Sequence, residues 1–302
     1  MFARGQLASL PEDVRSKISL IELDLGENLL VALPDWIGEL SRLRKLNLYH
    51  NRLVSLPESL WRLGELEFLN LSENHLAELS EGIGCLTQLR MLDLGHNHLT
   101  QLPQALGRLG CLEFLYLSNN RLPDLPETLG DLDSLIYLNI TDNRLTVCPD
   151  WIGSLGRLIE LRLYNNQLSG LSETIGQCDA LKELHGMHNQ LESLPASIGQ
   201  LTGLRKLGLQ GNRLVRLPEA LGNCLHLTDL DLRENRLETL PYSLGGLRRL
   251  RFLDLRANRL TALPEGLGEL PQLEKLDLRW NPLHREPAWV QPLRQRGCIV
   301  YL

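Results

Sequence analysis

The chain has 302 residues, a formal net charge of −6 at pH 7, an isoelectric point near 5.8 and 43% hydrophobic residues. This acidic balance argues against a nucleic-acid-binding protein, which needs a basic face, and against attachment to an anionic membrane surface. No stretch approaches the ~18 consecutive apolar residues of a transmembrane helix, and the first residues contain no apolar signal-peptide core.

The first 19 residues follow the second half of a pattern that governs most of the chain. Leu10, Pro11 and Val14 are in register with Leu33, Pro34 and Ile37, 23 residues further on. A stack of repeats needs terminal units that cover its apolar ends. We therefore predict a half-repeat N-terminal cap over residues 1–19.

Residues 20–282 contain an asparagine at every twenty-third position, without insertion or deletion. Leucines recur at fixed offsets from each asparagine, and a period of about 20–29 residues with that arrangement predicts a stacked solenoid of twelve repeats. The asparagines are Asn28, Asn51, Asn74, Asn97, Asn120, Asn143, Asn166, Asn189, Asn212, Asn235, Asn258 and Asn281.

The repeat over residues 227–249 shows how each unit should fold. Leu230 and Leu232 alternate with polar residues, which predicts a short strand with one buried face. The amide of Asn235 can donate and accept hydrogen bonds where the chain turns inward. Pro241 then fixes φ before a Ser-Leu-Gly-Gly-Leu stretch, which we expect to form a short helical or 3₁₀ segment.

Stacking these units predicts an α/β solenoid, a right-handed horseshoe with one parallel sheet. The sheet should line the concave face, and short helical, 3₁₀ or irregular segments should return along the convex face. The pattern LxxLxLxxNxLxxLPxxLGxLxx, from Leu20 to Asn281, resembles the 23-residue "typical" leucine-rich-repeat family. Its Leu-Pro and Leu-Gly or Ile-Gly elements are similar to those of bacterial cytosolic and plant intracellular Ras-group-related members. The resemblance implies a protein–protein interaction module.

The third to sixth repeats place large apolar groups on the outward face of neighbouring strands. Exposed groups of this kind are typical of protein interfaces, although aromatic side chains also fill strand positions well by packing on their neighbours. Both interpretations are open from the sequence. The candidate partner-binding residues are Phe68, Met91, Phe114, Tyr116 and Tyr137, flanked by Tyr49 and Tyr164.

The tenth to twelfth repeats carry charged columns instead. Either the opposite charges compensate one another on a solvated face, or they form a docking strip for a charged partner. The residues of this secondary charged strip are Asp231, Asp254, Arg233, Arg256 and Arg279, with Asp277 in the same register.

Other reactive side chains favour no chemistry of their own. His75 and His98 share a column, close to His50 and His96, but no cysteine joins them, so we expect surface histidines and no metal or cofactor. No catalytic motif is visible, which predicts a protein that is not an enzyme. The six cysteines are scattered singly, three of them in leucine columns, and this favours a reducing, cytoplasmic location.

The repeat pattern breaks after Asn281, and we predict a C-terminal cap over residues 283–302. Trp289, Leu293 and Ile299 are the candidates for covering the last turn. The whole chain is then one structural domain that binds a protein partner on its concave face, without nucleic acid or membrane. Two alternatives remain: a regulatory or sensor subunit for a small GTPase or kinase signalling pathway, as a signalling scaffold, and a structural spacer without a dedicated ligand.

Overall fold

The computed structural model describes residues 5–302 and divides the chain into two compact units, which meet in sequence after Arg144. We call residues up to 144 the first unit and residues 145–302 the second unit. Within the described residues, no helix is long and apolar enough to cross a membrane.

The first unit contains strands β1 to β6, each three residues long and parallel to the next along the chain. In every strand the middle residue is a buried leucine, and the flanking residues face outward. Partners in neighbouring strands are 23 residues apart, as Leu46 and Leu69 are. The strands are Glu22–Asp24, Lys45–Asn47, Phe68–Asn70, Met91–Asp93, Phe114–Tyr116 and Tyr137–Asn139.

The second unit continues the same arrangement with strands β7 to β13 and one α-helix. The helix, α1, spans Val290–Gln295 and precedes the last strand. The strands are Glu160–Arg162, Glu183–His185, Lys206–Gly208, Asp229–Asp231, Phe252–Asp254, Lys275–Asp277 and Ile299–Tyr301.

Short 3₁₀ helices return the chain between strands, as the sequence predicts. Most begin after a proline, whose φ of −63° to −72° directs the chain into the helix, and Ile37 N donates to Pro34 O to close the turn at 3.0 Å. In the first unit they are Glu12–Val14, Asp35–Glu39, Glu58–Arg62, Glu81–Cys85, Gln104–Arg108 and Glu127–Asp131; in the second, Asp150–Ser154, Glu173–Gln177, Ala196–Gln200, Glu219–Asn223, Tyr242–Gly246 and Glu265–Glu269.

The asparagines join each turn to the turn before it. Asn97 Nδ2 donates to Leu71 O at 3.0 Å and to Leu94 O at 3.1 Å, while Asn97 Oδ1 accepts from Leu76 N at 3.0 Å. The side chain is buried, so these bonds replace the water that the backbone groups lose on folding. Strands, returns and asparagines together confirm the predicted α/β solenoid class.

The core consists of the repeating leucines, with cysteines at three of their positions. Cys148, Cys178 and Cys224 are buried, as expected for leucine replacements. Gly186 also occupies a leucine column, and the side chains of Leu209 and Leu191 approach it to within ordinary contact distance of a Cβ atom. Met187 stays on the outward face, half-buried, and does not bend into the core.

The terminal segments pack largely as expected, with one correction. At the N-terminus Leu10 and Val14 are buried, while residues 1–4 of the predicted cap lie outside the described residues. At the C-terminus Trp289 and Leu293 are buried, but Ile299 is 54% exposed and Val300 is buried in its place. The boundaries 1–19, 20–282 and 283–302, and the single domain, stay predictions.

Candidate functional site

The open face of the first unit carries a line of large apolar side chains, which we call the aromatic strip: Phe68, Met91, Phe114, Tyr116 and Tyr137. The strands place them there because the first and third residues of each strand point away from the buried leucine. Phe68 pairs with Met91, Met91 with Phe114, and Phe114 with Tyr137, so four consecutive strands contribute to one column.

Contacts within the aromatic strip explain its degree of burial. The ring centroids of Tyr116 and Tyr137 are 4.9 Å apart, and those of Phe114 and Tyr137 are 6.5 Å apart. These tilted arrangements are favourable for aromatic pairs. All five strip residues are half-buried, and the ring contacts cover part of Phe114, Tyr116 and Tyr137.

A half-buried carboxylate lies beside the strip. Asp93 pairs with Tyr116 across strands β4 and β5, and it accepts a hydrogen bond from Gly95 N at 2.9 Å. Burial raises the pKa of Asp93 above its ordinary value, more than the hydrogen bonds lower it. A donor group from a bound chain would relieve this desolvation.

Tyr49, on one flank, belongs to a hydrogen-bonded group. Its hydroxyl donates to Glu73 Oε1 at 3.1 Å, and His50 Nδ1 lies 2.7 Å from Glu73 Oε2. The hydrogen bond to Glu73 raises the pKa of Tyr49, and the one from His50 is the largest cause of the lowered pKa of Glu73. The other predicted flanking residue, Tyr164, is half-buried and follows β7 in the second unit.

The secondary charged strip lies on the second unit, and its charges compensate one another. Arg233 Nε lies 3.0 Å from Asp231, Arg256 2.6 Å from Asp254, and Arg279 2.7 Å from Asp277. These pairs form within single repeats, with one crossed pair between Arg256 and Asp277 at 3.5 Å.

The ion pairs of the secondary charged strip explain the directions in which its pKa values are shifted. The hydrogen bond to Asp254 is the largest cause of the raised pKa of Arg256. Burial by itself raises the pKa of Asp277, but hydrogen bonds and charges from Arg279 and Arg256 outweigh it and leave the pKa below its usual range. A partly exposed pair such as Arg233–Asp231 contributes under about 1 kcal/mol. Asp277 is buried, so its arginines chiefly prevent an unpaired buried charge.

Two exposed aromatic residues near the C-terminus were not among the sequence candidates. Trp280 is 71% exposed and Tyr301 is 41% exposed, and the Arg279 guanidinium lies 4.8 Å from the Tyr301 ring and 5.6 Å from the Trp280 ring. The break in the repeat pattern hid Tyr301, which lies on β13. Trp280 precedes the last repeat asparagine, and its bulk at that position was a usable signal.

A shallow depression on the second unit also escaped the sequence analysis. It has a volume of about 320 Å³ and surrounds Gly208, the third residue of β9. The corresponding positions of other strands hold side chains such as Asn70, Asp93 and Tyr116. The glycine in this column was the available sequence signal.

The histidine and carboxylate clusters do not suggest a metal centre. The rings of His75 and His98 stack with centroids 5.7 Å apart on exposed positions. Among the described residues, three possible ligands converge at Glu160, Glu183 and His185. However, Arg162 Nε donates to Glu160 at 2.6 Å and Lys206 Nζ lies 2.9 Å from Glu183, so basic side chains already neutralise both carboxylates.

Comparison with known families and structures gives consistent matches. A model described as "Leucine-rich repeat region" matches residues 73–194 and 184–296, and a second, "Leucine rich repeat", matches residues 18–76. No curated protein sequence matches the chain significantly.

Solved structures match over most of the chain. A leucine-rich-repeat protein of Leptospira interrogans is 35% identical with a TM-score of 0.92, and the match covers 98% of this chain and 76% of that one. The plant peptide hormone receptor RGFR1, solved in complex with RGF2, is 30% identical with a TM-score of 0.81, over 90% of this chain and 46% of the receptor chain. An internalin of Listeria monocytogenes is 24% identical with a TM-score of 0.79, over 88% of this chain and 76% of the internalin, which supports the fold alone.

Proposed function

The chain belongs to the leucine-rich-repeat family, and from that premise we propose that it is a non-enzymatic module that binds a protein partner on the concave face of its sheet. Members of this family commonly mediate protein–protein interactions. The plant receptor, 30% identical, was solved in complex with RGF2. We take a protein or peptide chain as the partner class.

The aromatic strip carries this proposal. Tyr, Phe and Met are enriched at the centres of protein interfaces, and closely packed apolar side chains on a surface favour coverage by a partner. Tyr116 and Tyr137, 4.9 Å apart, form its most tightly packed part. Because the side chains already touch one another, binding immobilises few additional rotamers, and this lowers the entropic cost of association.

We place the module in the cytoplasm. Cys85 and Cys111 are exposed free thiols, and such thiols persist in a reducing compartment. The groups offered by the aromatic strip are apolar surface and phenol hydroxyls, which suit recognition of a chain surface rather than attack on a substrate. The proposed role is therefore that of a scaffold or adaptor.

The test is a Phe68→Ala, Phe114→Ala double variant compared with wild type in affinity capture from the source organism. Truncating an interface anchor typically costs more than about 1 kcal/mol, so we expect capture of the main partner to fall at least ~10-fold. Cross-linking mass spectrometry should place wild-type cross-links on β3 to β6.

Tyr242→Ala is the matched control, because Tyr242 is an exposed aromatic residue on a 3₁₀ return and not on a strand. It should leave capture unchanged. Circular dichroism and thermal unfolding confirm that each variant is folded. Undiminished capture by a folded double variant would exclude the aromatic strip, and the absence of any enriched protein would favour the structural spacer.

A further inference from the structure

The depression around Gly208 has an apolar floor. Met187 lies over the glycine, with its Sδ 2.7 Å from the place that a Cβ atom of residue 208 would take. Phe252, 37% exposed, forms one wall, and the strand leucines Leu207 and Leu230 form part of the bottom. The floor therefore suits an aliphatic chain or a ring edge.

Carboxylates stand around this floor. Asp229, Asp231 and Asp254 belong to the two strands that follow Gly208. Asp254 is occupied, because Arg256 donates to both of its oxygens from the backbone and the guanidinium. Asp231 is paired with Arg233 alone, and since an ionised carboxylate offers about four acceptor positions, it retains some. Asp229 accepts from Thr228 Oγ1 at 2.5 Å and, among residues 5–302, forms no ion pair with a basic side chain.

Two basic groups of the lining lie beside Glu183, and the third contacts an aromatic ring. Lys206 Nζ lies 2.9 Å from Glu183, and Lys275 Nζ lies 5.7 Å from the centroid of the Tyr301 ring. His185 Nε2 is 3.2 Å from Glu183 as well. Lys275 is the one basic residue of the lining that forms no ion pair among the described residues, and its three donors are fewer than the acceptor positions that Asp229 and Asp231 retain.

The burial of Asp231 also favours the binding of a cation beside it. Desolvation raises its pKa above the ordinary value despite the hydrogen bond and charge of Arg233. A second cation near this carboxylate would favour its ionised form.

We propose that the depression around Gly208 binds a lysine or arginine side chain of a protein partner. The aliphatic stem lies on Met187 and against Phe252, and the cationic head reaches the carboxylates of Asp229 and Asp231. Basic side chains commonly bury their stems on apolar surface and keep the charge at a polar rim, and an aromatic wall adds cation–π attraction. The site shares no residue with the aromatic strip, so it stands or fails independently.

Methyl NMR gives a direct test, because the chain has three methionines and two of them report on different surfaces. Met187 lies in the depression and Met91 lies in the aromatic strip. The probe is the peptide acetyl-Gly-Arg-Gly-amide, titrated into protein labelled at the methionine methyl groups. We expect a saturable shift of the Met187 signal in the millimolar range and no change at Met91.

Two further peptides test the chemistry. Acetyl-Gly-Leu-Gly-amide presents an apolar side chain without charge, and acetyl-Gly-Glu-Gly-amide presents the opposite charge. Neither should shift Met187 saturably at the same concentrations. Equal binding of the leucine peptide, preferential binding of the glutamate peptide, or no response to the arginine peptide would overturn the proposal.

Variants then test the apolar floor and the surrounding carboxylates separately. Gly208→Asn places in the depression a residue that the same column holds at Asn47, Asn70 and Asn139. The new Cβ displaces the flexible end of the Met187 side chain, so the fold should accept the substitution while the space is filled. Asp229→Asn with Asp231→Asn removes two charges. Each should weaken arginine-peptide binding at least about fivefold. Asp24→Asn, the same column in the first unit, is the matched control and should bind like wild type.

Circular dichroism and thermal unfolding of each variant, compared with wild type, show that the variants are folded. Wild-type affinity in Gly208→Asn would place the peptide elsewhere and contradict the assignment. If the Phe68→Ala, Phe114→Ala variant captures its partner like wild type, this measurement is unaffected, because the peptide titration reports on the second unit alone.

Discussion

At the scale of single residues, the most constrained backbone position is the one before each repeat asparagine. It has a left-handed conformation, with φ between 50° and 68°, in every repeat. Gly211 is the one glycine in this column; the other positions hold residues such as His50, Ala257 and Trp280. The left-handed region costs a non-glycine residue about 1–2 kcal/mol, which the asparagine hydrogen bonds of the same turn offset.

We predict opposite effects of exchanging alanine and glycine at this column. Ala257→Gly should raise the free energy of unfolding by about 0.5–1 kcal/mol, because relief of the left-handed strain exceeds the added flexibility of the unfolded chain. Gly211→Ala should lower it by a similar amount; the new Cβ would also meet His188 Nδ1 at 2.5 Å, so that surface ring must move. Urea unfolding followed by circular dichroism measures both, and equal signs would refute the explanation.

The sequence predicted the ladder but not this conformation. An asparagine at every twenty-third residue is visible in the letters. The preceding column mixes residues that favour a positive φ, such as Asn119, Asp142 and Gly211, with Glu, Ala and Trp, which do not, so its conformation is not evident from the sequence. Gly208 is also visible in the sequence. The depression around it depends on the position of Met187 as well, which the sequence does not give. The 23-residue spacing predicts that Ile299 points inward. The last strand is offset by one residue, since Leu276 pairs with Val300, 24 residues further on, and the spacing therefore indicates the wrong residue.

At the scale of elements, the 3₁₀ returns contain cysteines that do more than fill space. Cys178 and Cys224 each follow a return helix and donate from Sγ to the carbonyl oxygens of Ile152 and Ile198, at 3.1 and 3.3 Å. Burial raises the pKa of Cys178 to about 12, and of Cys148 and Cys224 to about 11. The stability that these protonated thiols contribute is complete below their unfolded pKa and is lost as the pH rises through the folded values.

Thiol labelling of the native protein should therefore be selective. Iodoacetamide reacts with the thiolate, so at pH 8 we expect modification of the exposed Cys85 and Cys111 alone. Raising the pH to 9.5 should accelerate that reaction and still spare Cys148, Cys178 and Cys224, whose folded pKa values lie higher. Peptide mapping by mass spectrometry identifies the sites, and urea should expose all six. Rapid native labelling of Cys178 would contradict the burial argument.

At the scale of the whole molecule, the repeats of each unit are linked mainly to their sequence neighbours. Every asparagine side chain bridges its own turn and the preceding one, as Asn97 bridges to Leu71 and Leu76. In such a one-dimensional stack, stability is approximately the sum of repeat and nearest-neighbour contributions. A local defect should consequently remain local.

Asn97→Ala tests this expectation. It leaves the buried Leu76 N–H without its partner, which costs about 1–3 kcal/mol. It also removes one of two side-chain donors from the Leu71 carbonyl, which keeps the bond from Asn74 Nδ2. The acceleration of amide hydrogen exchange should be largest in β3 and β4 and should decrease towards β1. The control is Asn223→Ala, an exposed asparagine at the end of a return helix, which should change no strand. Uniform acceleration across β1 to β6 would show that the first unit opens as one cooperative body.

The direction of the asparagine bonds bears on how the protein is made. Within each unit, most of these amides reach back to a carbonyl group of the turn that precedes them, as Asn97 does to Leu71 and Asn120 to Leu94. When a turn of the nascent chain leaves the ribosome, the hydrogen-bond partners of its asparagine have therefore already been synthesised. Growth can then proceed vectorially, each newly emerged turn closing onto the one before without waiting for the C-terminus, and extension by duplicating 23 residues preserves every bond.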